Sequence, residues 1–160
     1  MVSLAAHEWP ASGAGPDAPL AVLVHGVTGW WKTWWRVGPA LAVQRAMAAH
    51  GWPDGREVKV RIGLHTGRPT LTATGYQGIS VNTAARLCDC GHGGQTLASR
   101  ATRAALAEEA AYELRLLGSY RLRGIPEDHE IYQLVVPDLP DGFPPLRIDE
   151  TEGDRYRIPH

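Results

Sequence analysis

The chain has 160 residues, 44% hydrophobic and 21% charged, which suits one domain burying about two-thirds of the unfolded chain's surface. A formal net charge of −1 without any long Lys/Arg run gives no electrostatic footprint for nucleic acid or a membrane surface, so neither is expected as a partner. No apolar stretch reaches membrane-spanning length, and residues 1–21 lack the basic start and apolar segment of a signal peptide, which makes the cytoplasm the expected location.

Residues 1–19 are rich in Ala, Gly and Pro and show no sustained period, so a loosely ordered leader is expected. Residues 20–24 form a short continuous apolar run, the pattern of a strand buried on both faces. It leads into His25-Gly26-Val27-Thr28-Gly29, followed by Trp30, Trp31, Trp34 and Trp35, whose i,i+4 spacing fits two rows of a helix packing on a neighbour. Pro39 reads as a first-turn residue of a helix over 40–50, with Leu41, Ala48 and either Val43 or Met47 inward and Gly51 as its stop.

From residue 57 the period changes. Val58, Val60, Ile62 and Leu64 alternate with Lys59, Arg61, Gly63 and His65, as in a half-buried strand. The run His65-Thr66-Gly67-Arg68-Pro69 reads as a turn into a second, antiparallel strand at Thr70-Leu71-Thr72, closed by residues 75–78. His65 is expected to be a strand-end residue with a satisfied ring. Ser80 reads as the N-cap of a helix over 81–87, with Val81, Ala84, Ala85 and Leu87 toward a core. Asn82 and Arg86 then form an i,i+4 pair, so an amide and a guanidinium point the same way, an arrangement suited to an anionic ligand carrying hydroxyls.

Cys88, Cys90 and His92 raise the possibility of a metal cluster, but C-x-C is narrower than structural zinc spacing. Cys88 as a small apolar residue at the helix end, with Gly91 as C-cap, is the favoured reading. A strand is predicted at 94–98 and a helix at 102–111, capped by Ser99 or Thr102. Strands follow at 114–117, 120–122 and 130–136, with a turn at 124–128. Pro137, Pro140, Pro144 and Pro145, then the acidic run 149–154, read as an extended linker and a solvated tail.

Two resemblances follow from these motifs. The segment VLVHGVTGWWKTWWRVGPALA resembles the opening of an α/β-hydrolase, where a His-Gly loop helps form the oxyanion hole. His25 and Gly26 would be a remnant of that loop, because no serine has the flanking glycines of a nucleophile elbow and no hydrolase activity is expected. The stretch from 42 to 147 resembles the C-terminal half of the class III adenylate and guanylate cyclase catalytic domain. It carries the strand, HTG turn, strand and GxxVNxAAR signature, then His92-Gly93-Gly94-Gln95, the LGSYRLR run 117–123 and Ile131-Tyr132-Gln133-Leu134.

That resemblance implies an α+β, nucleotide-cyclase-like sandwich, a mostly antiparallel sheet with packed helices, here incomplete. The implied division is a leader at 1–19, a hydrolase-like fragment at 20–41, a partial cyclase-homology domain at 42–136, and a linker with tail at 137–160. The implied activity converts a nucleoside triphosphate, ATP or GTP, to cyclic nucleotide and pyrophosphate. Asn82 matches the asparagine that orients the ribose, Arg86 the arginine that stabilises phosphate charge in the transition state, and Arg123 a basic position on the triphosphate. The family uses Mg or Mn held by two aspartates. The family's active sites lie at a dimer interface, which implies a homodimer or a complementing cyclase subunit as partner. Neither aspartate motif is found in this chain, so activity is expected only with a subunit that supplies them, with a non-catalytic interaction module as the alternative. The base-selecting position falls on Gly75, which has no side chain to choose between adenine and guanine.

Overall fold

A computed structural model of the chain describes residues 21–23, 34–52, 57–73, 75–106 and 113–148. In chain order these form β1 (Ala21–Leu23), α1 (Trp34–Ala49), β2 (Arg61–Leu64), β3 (Thr70–Thr72), β4 (Gly75–Gln77), α2 (Ile79–Cys90), β5 (Thr96–Ser99), α3 (Arg100–Ala105), β6 (Glu113–Arg121) and β7 (Asp128–Val135). The architecture is α+β. Among the described residues, five strands make one sheet in the order β1-β2-β5-β7-β6, and β3 and β4 make a separate antiparallel pair.

The sheet is mixed rather than mostly antiparallel. β1 and β5 flank β2, both parallel to it, whereas β7 runs antiparallel to both β5 and β6. With both edges of β2 occupied, the HTG turn cannot fold β3 back onto it. The expected hairpin of β2 with β3 is therefore replaced by a hairpin of β3 with β4, in which Thr70 faces Gln77 and Thr72 faces Gly75. The apolar run near residue 22 does join β2, with Val22 opposite Ile62.

Strand alternation sends side chains to two faces of the sheet. On one face, Val60, Ile62, Leu64, Ala98, Tyr132 and Leu134 join Ala40 and Leu41 of α1, with Val43 and Met47 packed alongside. On the other, Leu97 and Ile131 join Leu87 and Cys90 of α2 together with Leu122 and Ile125. Ala48, expected inward, is exposed, and Gln44 takes the buried position. Its amide Nε2 donates to Val60 O at 3.3 Å and to Thr96 Oγ1 at 3.2 Å, so the polar group is satisfied inside.

Several boundaries move from their predicted places. α1 begins at Trp34, leaving Pro39 inside the helix, where its missing amide removes one bond to residue 35 without stopping the run. α2 starts at Ile79 and Ser80 is its second residue. Gly78 precedes it at φ 116°, a conformation that side chains disfavour, and its carbonyl accepts from Val81 N and Asn82 N. α3 starts at Arg100 under a Ser99 cap, whose hydroxyl accepts from Thr102 N; the end predicted at 111 lies outside the described residues. The two strands predicted around residues 114–122 are one, β6, because a bulge at Leu117 lets Gly118 pair with Ile131 and the ladder with β7 continue.

Candidate functional site

The candidate site is built on α2, and the way that helix is seated follows from Gly63. A Cβ at Gly63 would stand 2.5 Å from Ala84 O and 2.6 Å from Cys88 N. The helix backbone thus lies directly on β2, an approach that only glycine permits. Thr83, Ala84, Leu87, Cys88 and Cys90 form the buried face of α2. Val81 and Ala85, expected inward, are only half-buried, because the helix is rotated to bring Thr83 under the sheet. Thr83 Oγ1 returns a bond to Ile79 O at 2.8 Å, which keeps its hydroxyl satisfied there.

Seating that face leaves Asn82, Arg86 and Asp89, at i, i+4 and i+7, pointing outward together. Asn82 is exposed. Arg86 is 43% exposed and its Nη1 donates to Asp89 Oδ2 at 3.3 Å, while the Asp89 carbonyl accepts from Arg61 Nη1 at 3.4 Å. Such a half-exposed pair is worth little, so the guanidinium is available to a stronger anion.

Arg123 is exposed in the turn between β6 and β7, flanked by Leu122 and Ile125, which are buried and whose backbone closes the turn with Ile125 N donating to Leu122 O at 3.0 Å. Leu122, Ile125 and Leu87 belong to one apolar cluster. Arg86 and Arg123 are each adjacent in sequence to a member of that cluster, so the same core holds the backbones that present both cations. Gly75 is a backbone member of β4 opposite Thr72. His25 and Gly26, and the tryptophans Trp30 and Trp31, lie outside the described residues.

His65 directly follows the end of β2 and has a hydrogen-bonded ring, as expected. Its Nδ1 lies 2.9 Å from Ser99 Oγ, within a set of hydroxyls that sequence reading did not single out: Thr66 Oγ1 donates to Thr102 Oγ1 at 3.3 Å, and Thr102 Oγ1 donates to Leu64 O at 3.1 Å. Burial, with His129 nearby as a second cause, holds the His65 pKa below its ordinary 6.5. Ser99 is 1% exposed, so this His-Ser contact ties strand end to helix start and offers no nucleophile to a substrate.

The metal implied by the sequence resemblance needs paired carboxylates. Among the described residues no three His, Cys, Asp or Glu side chains come together. Asp89 faces Arg86, and the Cys88 and Cys90 thiols are pushed up to about 11 by burial, a poor state for metal thiolates. These residues do not fit a divalent cation site.

The fold and site define an α+β domain that displays an amide and a guanidinium from one helix above a mixed sheet, and the comparisons with known proteins assign it. The model of the adenylate and guanylate cyclase catalytic domain matches residues 24–136, and the chain belongs to that family. The match runs through residues 24–41, so the α/β-hydrolase-like reading of 20–41 draws no support. An uncharacterized protein of Mycobacterium tuberculosis is 39% identical over 124 residues, covering 72% of this chain and 49% of that protein. A receptor-type adenylate cyclase of Trypanosoma brucei brucei is 40% identical over 103 residues, covering 59% of this chain and 18% of that protein. The adenylate/guanylate cyclase/hydrolase of Silicibacter pomeroyi shares the fold, with a TM-score of 0.59 at 22% identity over 70% of this chain and 71% of that one. The chain spans less than half the length of these two curated relatives. No helix among the described residues is long and apolar enough to cross a membrane.

Proposed function

We propose that the chain supplies the ribose- and phosphate-binding wall of a class III nucleotidyl cyclase site, turning ATP or GTP into cyclic nucleotide and pyrophosphate when a partner subunit provides the metal-binding aspartates. The observation that supports this reading most is the common outward face of Asn82 and Arg86 on a helix seated by Gly63. Ring closure is an in-line attack of the ribose 3′-hydroxyl on the α-phosphorus, with the bond to pyrophosphate breaking. Negative charge grows on the phosphoryl oxygens as it proceeds. In this reading the Arg86 guanidinium exchanges Asp89 for those oxygens, and its forked donors meet charge that is larger in the transition state than in the substrate. Asn82, one turn earlier, orients the ribose by hydrogen bonds that both its amide nitrogen and its oxygen can make. Arg123 meets the triphosphate. Aspartates of the partner subunit would hold the Mg or Mn that activates the 3′-hydroxyl.

A second reading, a non-catalytic interaction module, draws on the Arg86–Asp89 pair, which occupies the guanidinium in this structure. Mixing separates the two. The chain, combined with a class III subunit whose own Asn and Arg are removed, is expected to restore cyclic-nucleotide formation in Mn²⁺ or Mg²⁺. A complex that forms but makes no product would leave only the interaction module.

A further inference from the structure

Residues 137–148 lie beyond the family match and read from sequence as linker, yet they are fastened to the body at both faces of the sheet. Leu139 packs on the α1-side cluster, and Leu146 and Ile148 pack on the α2-side cluster that contains Cys90. Polar contacts run the length of the segment. Gln95 Nε2 donates to Gln133 Oε1 at 2.8 Å, and Gln133 Nε2 in turn donates to Asp141 O at 2.7 Å. Arg115 Nη2 reaches Asp141 Oδ2 at 2.7 Å. His92 Nε2 donates to Pro145 O at 2.9 Å, because a carbonyl oxygen can only accept. Arg147 N donates to Cys90 O at 2.9 Å.

That last bond falls at a place of need. The final carbonyls of a helix have no partner within it, and Cys90 is the last residue of α2. Gly91 N satisfies Cys88 O, while the partner for Cys90 O comes from a residue far along the chain. A Pro-rich segment suits this task, since its backbone is stiff and loses little freedom when laid against a surface.

We propose that residues 139–148 are an integral strap of the cyclase-family domain that positions the C-terminal half of α2, and through it Arg86, so that release of the strap loosens this half-helix without unfolding the sheet. Its consequence for Arg86 rests on the phosphate-binding reading above; its structural content does not. Arg86 precedes Cys90 by about one turn, so a loosened last turn moves the guanidinium directly. Whatever pulls on or covers residues 139–148 then acts on the phosphate wall.

The two thiols provide the test on the full chain, with no nucleotide needed. Cys90 belongs to the cluster on which Leu146 and Ile148 pack and its carbonyl accepts from Arg147 N between them, whereas Cys88 donates to Arg61 O at 3.3 Å under β2. Both are buried, so reaction with a thiol reagent requires local opening. In the Leu146→Ala/Ile148→Ala variant, Cys90 labelling followed by mass spectrometry is expected to be about tenfold faster, with Cys88 unchanged. An unchanged Cys90 rate, or equal acceleration of both thiols, overturns the proposal. Should that variant fail to fold, His92→Ala, which removes the side-chain bond to Pro145 O, decides the matter. Faster labelling of Cys90 alone supports the strap, and wild-type labelling refutes it.

Discussion

His65 shows how far a residue type can be read and where its surroundings take over. Its place at a strand end is visible in the alternation that precedes it, but its partner Ser99 lies 34 residues away and is set by the parallel pairing of β2 with β5. Burial depresses the His65 pKa below 6.5, so the unfolded chain takes up a proton first as the pH falls. The stability this ring contributes is complete above 6.5 and is lost as pH falls from there through the folded-state value. His65→Asn removes that titration. Its urea midpoint is expected to fall less steeply than that of wild type between about pH 7 and about pH 5. Parallel slopes would show that this ring is not a source of the acid sensitivity.

At the scale of elements, α2 was legible in the sequence as a helix with one outward polar face, because Asn82 and Arg86 recur at helical spacing. Its start was not, since Ser80 is a good cap by type while the backbone of Gly78 declares itself only in its dihedral angles. The partner of β3 is hidden in the sequence for a related reason. Local turn residues announce a reversal, but whether the returning strand pairs depends on edges already filled by β1 and β5, which are distant in sequence. Gly63 reads as an ordinary outward position in a strand, and only the helix above explains it. Gly63→Ala would drive a methyl into Ala84 O and Cys88 N, backbone atoms that cannot rotate away. The expected cost is about 2 kcal/mol or more, read as a lowered denaturation midpoint. An unfolding free energy within about 0.5 kcal/mol of wild type would mean that the helix has room to lift.

For the molecule as a whole, the sheet carries two apolar faces and places α1 on one and α2 on the other, with the strap of residues 139–148 crossing to both. The apolar halves of these layers were visible as strand and helix periods. The buried amides Gln44, Gln95 and Gln133 were not, because a polar residue in an amphipathic pattern reads as solvent-facing until its partner is known. The strap escaped for the same reason: Pro-rich composition reports stiffness, whereas docking depends on Leu146, Ile148 and a helix end elsewhere. This body holds Arg86 and Arg123 over one core cluster and contributes no fitting metal ligands among its described residues. On the proposed reading, Arg86 acts on transition-state charge. In the mixed assembly with a class III subunit lacking its own Asn and Arg, Arg86→Ala is expected to lower the restored rate by about two orders of magnitude while pairing persists. A restored rate that is unchanged by Arg86→Ala would show that this guanidinium does not act on the phosphate.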